Sequence, residues 1–257
     1  MTAVPADSRP VLLAVAHGTR DPLGVRAYDR LVHRMRTLRP GLCVRLAHLD
    51  IVRPSLAEVL AELRGEVVVV PLLLSAGYHV RVDIPAALAD APRVRARVAA
   101  ALGPDPLLTT ALSDRLAQAG WRRGPTRCAA AGQAVVLAAA GSSDPAANAD
   151  TVRTGRLLER RLQVEVVPAY LSASSPTPAE AVARLRATGR QVAVASCLLA
   201  PGFFARRAAA AGAELTGEPV GTHAAVARLA LRRYDQALAP AQPSALQAPA
   251  LQYTSLR

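Results

Sequence analysis

Two histidines and an aspartate stand where three hydrophobic segments end. His17 follows VLLAVA (11–16), Asp50 follows CVRLAHL (43–49), and His79 follows EVVVVPLLL (66–74) and the tetrapeptide SAGY. Neutral imidazoles ligate Fe²⁺, Co²⁺, Ni²⁺ or Zn²⁺ and also accept protons near neutral pH. A carboxylate beside them can balance metal charge or orient a ring. Singly, each residue also fits a structural role, and Asp50 could simply pair with Arg53. His48 precedes Asp50 by two residues, so on an extended strand it shares that face and is a further pocket candidate. His33, among helical arginines, reads as solvated, and His223 as a surface or capping residue of the last helix. Cys43, Cys128 and Cys197 have no CxxC spacing and read as buried small hydrophobes in a reducing compartment. No G-x-S-x-G elbow, P-loop or G-x-G-x-x-G occurs.

The elements that must position these residues alternate in type. A helical pattern runs from about Leu23 to Leu38, and Ser55 with Glu58 makes a capping box that opens a helix through about Leu63. The β-branched run at 66–74 reads as a strand buried on both faces. A helix from about Pro85 to Ala101, a short strand near Leu107 and a helix from about Ser113 complete the unit. This order predicts a parallel sheet covered by helices, in which ligands gather beyond the carboxyl ends of the strands.

The pattern then recurs at an offset of 122–125 residues. Gly18 and Asp21 of HGTRDP match Gly141 and Asp144 of AGSSDP. Ser55/Glu58 matches Thr177/Glu180, and Gly77 and Arg81 of LLSAGYHVR match Gly202 and Arg206 of LLAPGFFAR. The reading is an α/β chain of two parallel-sheet domains related by duplication, at 10–119 and 134–238. Residues 120–133 form the linker, and 239–257 a Pro/Ala/Gln-rich disordered tail. The breaks in the repeat are informative. His17, Asp50 and His79 become Ala140, Ser172 and Phe204, so the scaffold occurs twice and the candidate chemistry once.

Of the 257 residues, 51% are apolar, enough for sizeable cores, and no apolar run approaches a membrane span. With no signal-peptide pattern at the start, a cytoplasmic location is expected. The net charge of +12 comes from 31 basic residues, all arginine, scattered over helical faces with few aromatics to stack on bases. A polyanionic small molecule, rather than nucleic acid or a membrane, is the expected partner.

AHGTRDP (16–22), HLDIVRPSL (48–56) and VVVVPLLLSAGYHVRVDIP (67–85) together resemble the signature blocks of the sirohydrochlorin cobalto/ferrochelatase family. The second half is similar to the degenerate repeat of its two-domain members. The resemblance implies two flavodoxin-like domains of the chelatase fold around a cleft. It implies insertion of Fe²⁺ or Co²⁺ into a polycarboxylate tetrapyrrole for sirohaem or cobalamin synthesis, with Ni²⁺ or Zn²⁺ as in vitro substitutes and no organic cofactor. His17 and His79 take the positions of the family's metal-binding and catalytic histidines. Asp50 stands where the family commonly has glutamate, which leaves its role open between ligand and proton relay. Arg20, Arg81, Ser75 and Tyr78 are the candidate substrate contacts. One chain holding both halves of a cleft suggests a monomer. Two other readings are weighed: a non-catalytic metal or tetrapyrrole carrier of the same fold, and a metal-dependent hydrolase, for which a third strong ligand and a separate base are missing.

Overall fold

The computed structural model describes residues 9–240, so residues 241–257 of the expected tail lie outside the described residues. In the first half, β1 (Val11–Ala16), β2 (Val44–His48), β3 (Gly65–Leu72) and β4 (Val94–Val98) form a parallel sheet in the order β2-β1-β3-β4. In the second, β5 (Gln133–Ala139), β6 (Glu165–Tyr170), β7 (Gln191–Cys197) and β8 (Leu215–Gly217) repeat it as β6-β5-β7-β8. The helices are α1 (Pro22–Leu38), α2 (Leu56–Glu62), α3 (Ile84–Ala89), α4 (Pro106–Gln118), α5 (Arg127–Ala131), α6 (Pro145–Leu162), α7 (Pro178–Arg186), α8 (Phe203–Ala209) and α9 (Ala224–Leu238). The expected α/β architecture is thus present in both halves, and α5 interrupts the stretch that joins them.

The local chemistry explains these elements. Asp21 caps α1 by accepting from the Leu23 N–H at 3.0 Å, and Pro22 fills the first helical position, where a missing N–H does no harm. The helix buries Gly24, Ala27, Tyr28, Leu31, Val32 and Met35, the spacing of one helical face. The capping boxes at Ser55/Glu58 and Thr177/Glu180 are both formed. Val68 and Val70 of β3 enter one core while Val67 and Val69 enter another, as alternate positions of a doubly covered strand must.

Two segments differ from the sequence expectation. The helix expected from 85 to 101 ends at Ala89, and Val94–Val98 is the edge strand β4. Pro92 stands in the turn that stops the helix, and Val94, Ala96 and Val98 supply the period of two. The expected strand near Leu107 and helix from Ser113 are a single helix, α4. Its Asp105-Pro106 start repeats the Asp-Pro device of α1 and α6: the Asp105 carboxylate accepts from the Leu107 N–H at 2.8 Å.

The halves are also less self-contained than a tandem repeat suggests. Helix α4 leaves its own sheet to pack on α6, β7 and β8, while α9 returns to α1, β3 and β4. The exchange fuses the inner faces of both sheets into one core that runs from Leu12 and Val68 to Val135 and Ala193. Polar contacts fix it: Tyr234 donates to the Pro10 carbonyl at 2.6 Å, and buried Asp105 pairs with Arg232 and Arg233.

Candidate active site

In each sheet the chain runs outward in both directions from the central first strand, so a crevice opens beyond the carboxyl ends of that strand and its neighbour. The two crevices face each other. Together they bound a cavity of about 700 Å³, lined by the loops after β1 and β3 on one side and after β5 and β7 on the other.

His17 stands one residue past β1, exposed on this cavity. Its carbonyl accepts the Asp50 N–H at 3.0 Å, which ties the ends of β1 and β2 together. Gly18 must be glycine: it has φ +106°, and a Cβ there would lie 2.0 Å from the Asp50 carbonyl oxygen. The equivalent Gly141 would meet the Ser172 carbonyl at the same 2.0 Å. Thr19 Oγ1 accepts the Asp21 N–H at 3.1 Å and closes the loop, which presents Arg20 to the cavity. After β3, Leu72–Ser75, Gly77 and Tyr78 line the same space. His79 opens a π-helical turn, His79–Asp83, that runs into α3; its side chain lies outside the described residues. One-turn π segments recur at functional sites.

The candidates thus separate. His17, Arg20, Ser75 and Tyr78 share one cavity, whereas Asp50 and Arg81 are not in its lining. Asp50 is exposed, and its carboxylate turns back to accept the Ile51 N–H at 2.7 Å. Arg53 pairs instead with Glu58 at 3.0 Å. Arg81, expected as a substrate contact, has its guanidinium paired with Asp144 of the other half. Arg206 makes the reciprocal pair with Asp21 at 2.8 Å and holds that carboxyl below its ordinary 3.8, with the Leu23 N–H contributing. These clasps cross between the halves, and each aspartate also caps a helix.

His48 is not a cavity residue. It is buried, 3% exposed, with Nδ1 3.3 Å from the Pro54 carbonyl oxygen and its ring edge-on to Tyr28. Burial lowers its pKa from 6.5, so it is held neutral. His33 is exposed, and His223 caps α9 by accepting the Ala225 N–H at 3.2 Å. The cysteine expectation holds only for Cys197; Cys43, in the turn before β2, and Cys128, on α5, are exposed. Cys197 lines the cavity, but burial raises its thiol to about 12, which removes it as a nucleophile at neutral pH.

The second half contributes more to the cavity than its lost imidazole positions suggest. Ser143 occupies the position of Arg20, and Phe203 that of Tyr78. Asn148 clamps the Ser142 backbone, accepting from its N–H at 3.1 Å and donating to its carbonyl at 2.7 Å. The repeat offsets already contained these assignments. The lining is chiefly leucine, alanine, aromatic and hydroxyl groups, with no Asp or Glu among the described residues. The same residues contain no cluster of three His, Cys, Asp or Glu that could hold a metal, and no helix long and apolar enough to cross a membrane.

The family model described as CbiX matches this chain twice, over residues 11–119 and 134–237. A sirohydrochlorin cobaltochelatase from Priestia megaterium is 27% identical over 208 residues, 76% of this chain and 66% of that protein. The chain therefore matches just under two thirds of that relative's length. Among solved structures, SirB from Bacillus subtilis with Fe³⁺ superposes with a TM-score of 0.73 at 23% identity, covering 89% of this chain and 95% of that one. The CbiX described as the terminal enzyme for siroheme biosynthesis in denitrifying bacteria gives 0.67 at 24% identity, over 90% and 100%. These structural likenesses establish the two-domain chelatase fold. With the family pattern present once on each sheet, the chain belongs to the CbiX family.

Proposed function

We propose that this protein is a sirohydrochlorin chelatase, inserting Fe²⁺ or Co²⁺ into the macrocycle at the cleft between its two domains. The observation that carries the reading is the cavity: a two-walled crevice of about 700 Å³ with an imidazole, a guanidinium and no carboxylate among its described lining residues. Such a space accepts a flat apolar ring with an anionic rim, and Arg20 offers a fork to one rim carboxylate. The sirohydrochlorin cobaltochelatase relative and the Bacillus subtilis SirB structures with cobalt and with Fe³⁺ support an iron or cobalt ion as the second substrate.

In this reading His17 and His79 hold the incoming ion. Metal–nitrogen bonds form as two pyrrole N–H protons leave, so the ring gains a dication and releases two protons, and imidazole freed of metal accepts them. Ser75 and Tyr78 contact the ring, while Arg81 is reassigned from substrate to the interdomain clasp. Asp50 faces solvent rather than the cavity, which favours proton exchange with water over metal ligation. We take residues 10–119 and 134–238 as the duplicated domains, and a monomer in the cytoplasm as the working state.

The alternative is a carrier of the same fold that binds metal or tetrapyrrole without turnover. Anaerobic absorbance of sirohydrochlorin with Co²⁺ or Fe²⁺ separates the two. Conversion of many equivalents per protein, lost in His17→Ala and His79→Ala, is expected of the chelatase. Stoichiometric binding without excess product would establish the carrier.

A further inference from the structure

Ile51 is in the wrong backbone conformation for its side chain. It has φ +70°, in the left-handed region, where a β-branched residue is a genuine outlier and glycine or asparagine is the ordinary choice. Its counterpart Ala173, at φ +54°, is small and is not in the cavity lining. The turn is pinned by Asp50, whose carboxylate accepts the Ile51 N–H at 2.7 Å and whose carbonyl accepts the Val52 N–H at 2.8 Å. The side chain gains little from folding, being 49% exposed. It nevertheless lines the cavity, together with the other two large exposed apolar groups found there, Tyr78 at 61% and Phe203 at 64%. The left-handed turn itself recurs at Ala173 and belongs to the shared loop; what is particular to the first half is that this position carries a β-branched apolar side chain that folding leaves half uncovered on the cavity. Such outliers cluster where a ligand is gripped.

We propose that Ile51 is a contact residue for the tetrapyrrole face. With Tyr78 it forms the apolar wall of the first half, and Phe203 is the apolar element of the second. A flat macrocycle fits this set because its faces are apolar and its charges lie on the rim, where Arg20 shares the cavity. The inference rests on the proposed chelatase reading and adds the residue that selects a planar ring, independently of the metal.

Ile51→Gly and Ile51→Val test it in anaerobic steady-state metallation with sirohydrochlorin and Co²⁺, alongside thermal melting. Ile51→Gly relieves the backbone and is expected to raise Tm by about 2–4 °C. It is also expected to raise KM for the macrocycle about tenfold through lost apolar contact, with kcat and the KM for Co²⁺ unchanged. Ile51→Val keeps most of the wall and should stay within about fourfold of wild type, by the size of one methylene contact. A macrocycle KM unmoved by Ile51→Gly in an otherwise active enzyme overturns the inference. So does a fall in Tm accompanied by loss of kcat, the signature of a purely structural residue. A wild-type chain that neither binds nor metallates sirohydrochlorin overturns the chelatase reading itself, and this inference with it.

Discussion

The first-half loops at the cleft and their second-half counterparts share a backbone but not a chemistry. Both keep the strand-end glycine forced by a neighbouring carbonyl, Gly18 and Gly141. Both keep the capping aspartate and the arginine that crosses to the other half's aspartate: Asp21 with Arg206, and Asp144 with Arg81. They differ where side chains face the cavity: His17 against Ala140, Arg20 against Ser143, Tyr78 against Phe203. A residue present in both copies belongs to the scaffold, because the loops need each other's partners to close. A residue present in one copy is free to serve the ligand. By that rule Arg81, which has Arg206 as its twin, is the candidate contact that we propose to move to the frame.

The largest effect should come from His17, whose counterpart in the second half is Ala140. His17→Ala is expected to lower metallation by on the order of 10²-fold or more, the range for loss of a positioned acid–base or ligand group. Placing Ala140→His in that background should restore nothing, since the other position of the second half is Phe204. Recovery in the double variant would show that the halves are chemically interchangeable.

Next in size is packing between the halves. A Cβ on Gly24 would lie 2.8 Å from the Pro201 carbonyl oxygen and 2.5 Å from Thr19 Cγ2, so Gly24→Ala should cost about 1–3 kcal/mol in urea unfolding. The equivalent Ala147→Gly merely loosens a helix and should cost about 0.5–1 kcal/mol. Equal values would mean that the two interfaces are not as different as these contacts indicate.

A smaller difference concerns acid. His48 is buried and neutral where the second half has Tyr170. Its folded pKa lies below 6.5, so below that pH the unfolded chain binds a proton that the folded chain does not. Stability therefore falls as pH drops from about 6.5 toward the depressed value, by up to about 1.4 kcal/mol per pH unit, and is flat below it. His48→Tyr, copying the second half, should flatten the pH 5–6.5 limb of the urea midpoint; an unchanged slope would assign that limb to other groups, His223 first.

The smallest effect belongs to the exposed clasp. Asp21→Ser keeps a capping oxygen for α1 but removes the pair with Arg206. Stability should barely change in neutral buffer, as surface pairs contribute little and salt screens them. Because the Asp21 carboxyl is held below 3.8, the clasp is complete at neutral pH and is lost only as pH falls through that depressed value. A loss of metallation in Asp21→Ser that salt reproduces in wild type would show that the clasp sets the cleft.

Alternating segments, two capping boxes and the 122–125-residue offset were enough to define two parallel-sheet halves and to place His17 at a strand end. These features depend on near neighbours and on a period of two or 3.6, which a linear chain displays directly. The edge strand β4 was hidden because five half-exposed residues, Val94–Val98, give a weak period beside a helix-forming alanine run. The destination of α4 and α9 was hidden more deeply. An amphipathic helix declares that one face will be buried but not against which sheet, and only the shared core decided for the opposite one. The turning of Asp50 toward the Ile51 amide, the capture of Arg81 by Asp144 and the exposure of Ile51 at positive φ are likewise tertiary. Composition and spacing determine which side chains are available at the strand ends; only three-dimensional packing determines which face the cavity and which hold its walls together.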